Sequence, residues 1–197
     1  IKGFGVQTEC LREVNAGTQD FAVLDAQLAK SYCGIPQPRL GLMSVGRERQ
    51  KGTPLTQQAF EKISALGLNF VGNVEGKEIP FDICDVIVAD GYTGNIFLKT
   101  VEGMGKFLLK TLKDILKSNI ATKLSALTLD TKELKQRFDA SEHGGAPLLG
   151  ISKPVIKAHG SSDARAFKNA IRQAANCVKK DVVGEISRNI GSVDSEN

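Results

Sequence analysis

Residues 83–100 read Ile83-Cys84-Asp85-Val86-Ile87-Val88-Ala89-Asp90, then Gly91-Tyr92-Thr93-Gly94-Asn95, then Ile96-Phe97-Leu98-Lys99-Thr100. The apolar, β-branched run Val86-Ile87-Val88 predicts a short buried strand. Gly91 and Gly94 predict a loop, because they tolerate backbone conformations that other residues resist. From Asn95 the pattern becomes helical, with Ile96, Leu98, Val101 and Met104 leading into a longer amphipathic stretch. A strand that ends in a Gly-rich loop and opens a helix gathers free N–H groups, which favours an anion. An ordinary strand-to-helix turn has the same spacing. Asp90, Thr93 and Asn95, three polar side chains crowded into one turn, mark it as a candidate site.

Working outward, strands and helices alternate. Residues 18–30 read as a helix with Phe21, Leu24 and Leu28 on one face, stopped by Gly34. Residues 40–45 read as a strand, and 46–52 as a polar loop carrying Arg47, Glu48, Arg49 and Lys51. Thr53 and Pro54 read as an N-cap and first helical residue. That helix ends near Gly67, followed by a strand at 68–71 and a loop at 72–80. Beyond the central stretch, residues 106–138 read as a helical hairpin. Leu108, Leu112, Ile115 and Leu116 lie on one face of its first arm, with Lys106, Lys110, Lys113 and Lys117 striping another. Such a helix suits packing on the core or a partner subunit, or an anionic membrane surface. Residues 141–150 read as a loop and 155–158 as a strand. His159-Gly160-Ser161-Ser162 then opens a long helix with Phe167, Ala170, Ile171, Ala174 and Val178 on one face. This second strand-to-helix turn also suits an anion, or it holds Ser161 or Ser162 simply as an N-cap. The alternation predicts an α/β fold with a mostly parallel sheet covered on both faces.

Composition narrows the class. The chain has 197 residues, 41% hydrophobic and 24% charged, values typical of a soluble globular protein with one sizeable core or two small ones. A net charge of +4 is too mild to imply nucleic acid by itself. Cys10, Cys33, Cys84 and Cys177 lie far apart, so reduced core thiols are expected. With only His143 and His159 and no paired cysteines, no zinc-ligand pattern is present. No apolar run is long enough to span a bilayer and no signal peptide is visible, so a cytoplasmic setting is expected.

Three motifs go beyond pattern: 90–95 continuing into Leu98-Lys99-Thr100, Gly144-Gly-Ala-Pro-Leu-Leu-Gly150, and 156–162 continuing through 166–173. Together with Asn69-Phe-Val-Gly-Asn-Val-Glu-Gly76, they make the chain resemble the phosphate acyltransferase family of bacterial phospholipid synthesis, the PlsX type. The resemblance implies a three-layer α/β sandwich like that of isocitrate and isopropylmalate dehydrogenases. It implies transfer of a fatty acyl group from acyl-acyl carrier protein to inorganic phosphate, giving acyl phosphate, without cofactor or metal. A homodimer and a peripheral membrane contact through 106–120 are the expected associations. The family's lysine and asparagine match Lys51 and Asn95, the expected catalytic pair. Asp90, Thr93, Gly94, His159, Gly160, Ser161 and Ser162 are the expected substrate-binding residues. The chain departs from the family pattern at Gly46-Arg47-Glu48-Arg49 and at Thr53-Pro54. Gly-rich amino-terminal motifs of the family are missing, so a truncated chain, one partial domain over 1–197, is expected. A dehydrogenase on the same fold would need a metal-binding set of aspartates, which is not found at motif spacing. A lipid- or carrier-protein-binding module without catalysis is the other alternative.

Overall fold

The computed structural model describes residues 18–117, 144–149, 151–158, 160 and 162–190. Helix α1 (Thr18–Ser31) leads to strand β1 (Leu40–Ser44), helix α2 (Pro54–Ser64), strand β2 (Phe70–Glu75) and strand β3 (Val86–Val88). Helix α3 (Gly91–Lys117) follows, and then strands β4 (Gly145–Pro147) and β5 (Ile156–Ala158) and helices α4 (Ala164–Lys179) and α5 (Val182–Ile190). The fold is α/β, as expected. Strands β1, β2 and β3 form a parallel sheet in the order β2-β1-β3, and β4 pairs antiparallel with β5.

Strand β1 alternates Leu40 and Leu42, both buried, with Gly41 on the opposite face. A Cβ on Gly41 would lie 2.5 Å from Val74 Cγ2, so only glycine lets β1 and β2 approach there. Leu40, Leu42 and Val88 receive Ala22 and Ala26 of α1 and Ala59 and Ile63 of α2, so both helices cover the same face. Helix α2 begins as expected: Pro54 is its first residue, and Thr53 Oγ1 accepts from the Thr56 N–H at 3.2 Å.

Strand β2 differs from expectation, starting at Phe70 and running through part of the stretch read as a loop. Gly72 broke the sequence pattern because it sits at a register shift, with φ of +87°. That extra residue is a bulge, and the strand resumes beyond it.

A second core joins Leu24 and Leu28 of α1 to Cys177, Val182 and Ile186, with Tyr32, Leu149 and Ile156 packed against it. An apolar groove of about 360 Å³ opens beside it. Strand β4 lies inside the expected 141–150 loop. Gly144, at φ of +79°, lets the chain pass α4, where a Cβ would fall 2.3 Å from the Ala170 nitrogen.

Helix α4 is capped by Asp163, whose Oδ1 accepts from the Ala166 N–H at 2.8 Å, and not by Ser161 or Ser162. Its buried face carries Ala166, Asn169, Ala170, Gln173 and Cys177, whereas Phe167, Ile171 and Val178 are exposed. The expected apolar face was thus rotated off the core by the small residues that β4 and β5 require. Cys84 is half-buried and Cys177 buried, both free thiols as expected, but Cys33 is exposed rather than in a core. Among the described residues no helix is long and apolar enough to cross a membrane.

Candidate active site at the carboxyl edge of the parallel sheet

The chain passes from β1 to β2 on one side, then returns to β3 on the other. Strands β1 and β3 are neighbours, and the carboxyl edge of an open parallel sheet is the usual ligand position. Leu42 pairs with Val88, and two residues further along the two strands stand Ser44 and Asp90. The loop after β1 carries Lys51, and the helix after β3 carries Thr93 and Asn95. The fold therefore brings the two expected catalytic residues to one edge, from strands adjacent in space. Phe97 extends this closure. A Cβ on Gly76, just past β2, would lie 3.2 Å from the Phe97 ring, so α3 runs back across the edge past the end of β1.

The Lys51 loop is held from several sides. Arg47 pairs with Glu78, and Arg49 pairs with Glu61. Gln57 Nε2 donates to the Gln50 carbonyl at 2.7 Å. The Lys51 N–H donates to the Glu48 carbonyl at 2.9 Å and closes a turn. Gly52 sits at φ of +94°, where a Cβ would meet Thr56 Cβ at 2.9 Å and Ser44 Oγ at 3.0 Å. Of the loop's three cations, Lys51 alone makes no ion pair among the described residues, and its side chain is exposed at the edge. Hydrogen bonding to Arg47 holds the Glu78 carboxyl below its ordinary range, so it remains a fixed anion that occupies that guanidinium.

The turn after β3 differs from expectation. Helix α3 starts at Gly91, so Gly91 and Gly94 are helical and Asn95 lies in the second turn. The cause is Asp90. Its Oδ1 accepts from the Tyr92 N–H at 3.0 Å and the Thr93 N–H at 2.9 Å, capping the helix. Burial pushes this carboxyl up, but hydrogen bonds from the Thr93 hydroxyl and those two N–H groups outweigh it and hold it low. The free N–H groups expected to bind an anion are therefore partly taken by a carboxylate. Asp90 thus serves as the cap of α3. Asn95 is exposed, with its amide available at the same edge.

His159 and Ser161 lie outside the described residues. Gly160 is exposed and Ser162 half-buried, at the carboxyl end of β5. Among the described residues, no hydrogen bond or ion pair joins this second turn to the loops of Lys51 and Asn95. Gly160 and Ser162 follow β5 of the antiparallel pair, whereas Asp90, Thr93 and Gly94 follow β3 of the parallel sheet.

Two residues escaped the sequence reading. Asn73 is 5% exposed, and its Nδ2 donates to the Glu48 carbonyl at 2.9 Å. Its Oδ1, like the Ser44 Oγ, is buried without a hydrogen-bond partner among the described residues. An unpaired buried oxygen costs about 1–3 kcal/mol, so its position calls for a reason. The available signal was a polar residue in an otherwise apolar strand, set within the Asn69–Gly76 motif.

The chain is thus of the α/β class, with Lys51 and Asn95 following neighbouring strands of its parallel sheet. The chain belongs to the fatty acid synthesis protein family, whose model matches residues 12–185. It is 46% identical over 188 residues to a phosphate acyltransferase of Caldanaerobacter subterraneus, covering 94% of this chain and 56% of that protein. A phosphate acyltransferase of Thermoanaerobacter pseudethanolicus is 46% identical over 178 residues, 89% of this chain and 54% of the relative. One from Geobacillus thermodenitrificans is 46% identical over 170 residues, 85% and 52% respectively. The chain spans about half the length of the curated relatives it matches.

Proposed function

We propose that the chain is an enzyme component that transfers a fatty acyl group from acyl-acyl carrier protein to inorganic phosphate, giving acyl phosphate for phospholipid synthesis. The observation that supports this reading is that Lys51, exposed and without an ion pair among the described residues, and the exposed Asn95 follow neighbouring strands at one edge of the sheet. A phosphate oxygen attacks the thioester carbonyl carbon. The new C–O bond forms as the C–S bond breaks, and the carrier leaves as a thiolate that takes a proton from water. Lys51 holds the phosphate as a point charge and brings it near the carbonyl. Asn95 donates to the oxygen that gains negative charge. This step draws on no metal, cofactor or covalent intermediate. Thr93, Gly94 and the 159–162 turn are the remaining candidates for substrate contact.

Residues 1–197 are read as one α/β unit of the three-layer, dehydrogenase-like kind, with 106–138 as a helical hairpin. The exposed apolar side of α3 supports a surface contact there, with an anionic membrane through 106–120 or with a second copy in a homodimer, in a cytoplasmic setting. The test is phosphate-dependent formation of acyl phosphate from acyl-acyl carrier protein, trapped with hydroxylamine as the hydroxamate. Signal from the wild-type chain that is lost on Lys51→Ala supports the reading. No signal from the folded chain overturns it in favour of a binding module.

A further inference from the structure

The Lys51 turn has a feature that none of the surface ion pairs shares. The Glu48 carbonyl accepts from the Lys51 N–H at 2.9 Å and from Asn73 Nδ2, also at 2.9 Å. Arg47, Arg49 and Gln50 are gripped from the exposed side of the loop, and among the described residues only Asn73 hydrogen-bonds the turn from beneath. Asn73 is buried in β2, one strand away from the loop it holds, so its amide is carried by the sheet and not by the loop. An apolar residue would fill this position without stranding an amide oxygen. What the amide adds is the donated bond to Glu48.

We propose that Asn73 is a positioning residue, fixing through the Glu48 carbonyl the turn that presents Lys51 to the phosphate. This rests on the phosphate-binding role given to Lys51 above. Asn73→Asp keeps size and shape but replaces the donor with an oxygen that repels the Glu48 carbonyl. Asn73→Ala removes the donor and leaves no buried charge, so it serves if the aspartate variant fails to fold. In either folded variant the KM for inorganic phosphate should rise roughly threefold to tenfold, the scale of one net hydrogen bond. The KM for acyl-acyl carrier protein should not move. A purely structural role would lower the melting temperature and the active fraction without raising the phosphate KM.

Amide hydrogen exchange of the full chain supplies a readout independent of turnover. The Lys51 N–H should exchange faster in Asn73→Ala, while protection in β1 and α2 is kept. Unchanged exchange at Lys51 overturns the proposal whatever the activity. Faster exchange without phosphate-dependent turnover in the wild type supports the positioning and rejects the reaction. An unchanged phosphate KM in an active, folded variant overturns the proposal.

Discussion

Asp90 and Asn95 stand five residues apart and do opposite work. Asp90 turns inward to its own backbone and starts α3, whereas Asn95 lies exposed in the second turn. Replacing Asp90 with alanine should destabilise the chain by about 1 kcal/mol, the usual effect of losing an N-cap. Its carboxyl is held below the ordinary value of the unfolded chain. The stabilisation is therefore complete above about pH 4 and is lost as pH falls through the lower folded value. Melting temperatures between pH 2 and 6 should show an acid-limb difference between wild type and Asp90→Asn, which caps without titrating. Parallel curves would reject the assignment. Asn95→Ala should fold as well as the wild type, since alanine suits a helix interior at least as well. Turnover of acyl-acyl carrier protein should fall about 100- to 1,000-fold if the amide supports the oxyanion. Near-normal turnover in a folded variant would remove Asn95 from the site. The sequence marked both residues but not their division of labour. Capping depends on where a helix begins, and two glycines hid that start.

At the scale of elements, α3 is the least supported by its neighbours: among the described residues no other helix or strand packs closely along it. Met104, Phe107, Leu108 and Ile115 are each at least half exposed, and Leu112 is half-buried. The expected hairpin cannot be followed past Lys117, since its second arm lies outside the described residues. If the membrane covers this side, binding to anionic vesicles should weaken as salt rises, because exposed lysines are screened. Replacing Leu108 and Leu112 with polar residues should weaken it further by removing apolar insertion. Unchanged vesicle binding together with a shift to monomer in sedimentation would assign the face to a second copy instead. Periodicity announced α3 and α4 from sequence, and the Thr53-Pro54 start announced α2, yet of the expected α4 face Ala170 is buried while Phe167, Ile171 and Val178 are exposed. Gly144 passes so close to the α4 backbone at Ala170 that alanines, with Asn169 and Gln173 beside them, fill the buried side. Close approach counted for more than hydrophobicity.

Across the whole molecule, α1 is the common element. Ala22 and Ala26 face the parallel sheet, while Leu24 and Leu28 face α5 and the end of α4. The sequence showed the leucine side, because a leucine pair at helical spacing is conspicuous. It did not show the alanine side, which reads as featureless until a sheet is placed against it. Leu28→Ala should cost about 2–5 kcal/mol, toward the lower end because the apolar groove already borders this site. Because both cores meet on α1, a single cooperative transition should move to lower denaturant by fluorescence and circular dichroism alike. Two separated transitions would show that the cores melt independently. The Arg39 clamp marks the opposite, amino end of the sheet. It holds Asp85 through both carboxylate oxygens and Asp82 through its carbonyl, at the end of the strands opposite the Lys51 and Asn95 loops.

A helix backed by a sheet on one side and bordered by a groove on the other has slack in one direction only. A bulkier residue at Ala22 or Ala26 meets the fully buried Leu40 and Ile63 and can be accommodated only by moving α1 toward Leu28's neighbours, where the groove leaves room. Over evolutionary time, side chains bordering the groove at Val182 and Ile186 should therefore vary in size more freely than those at Ala22 and Ala26.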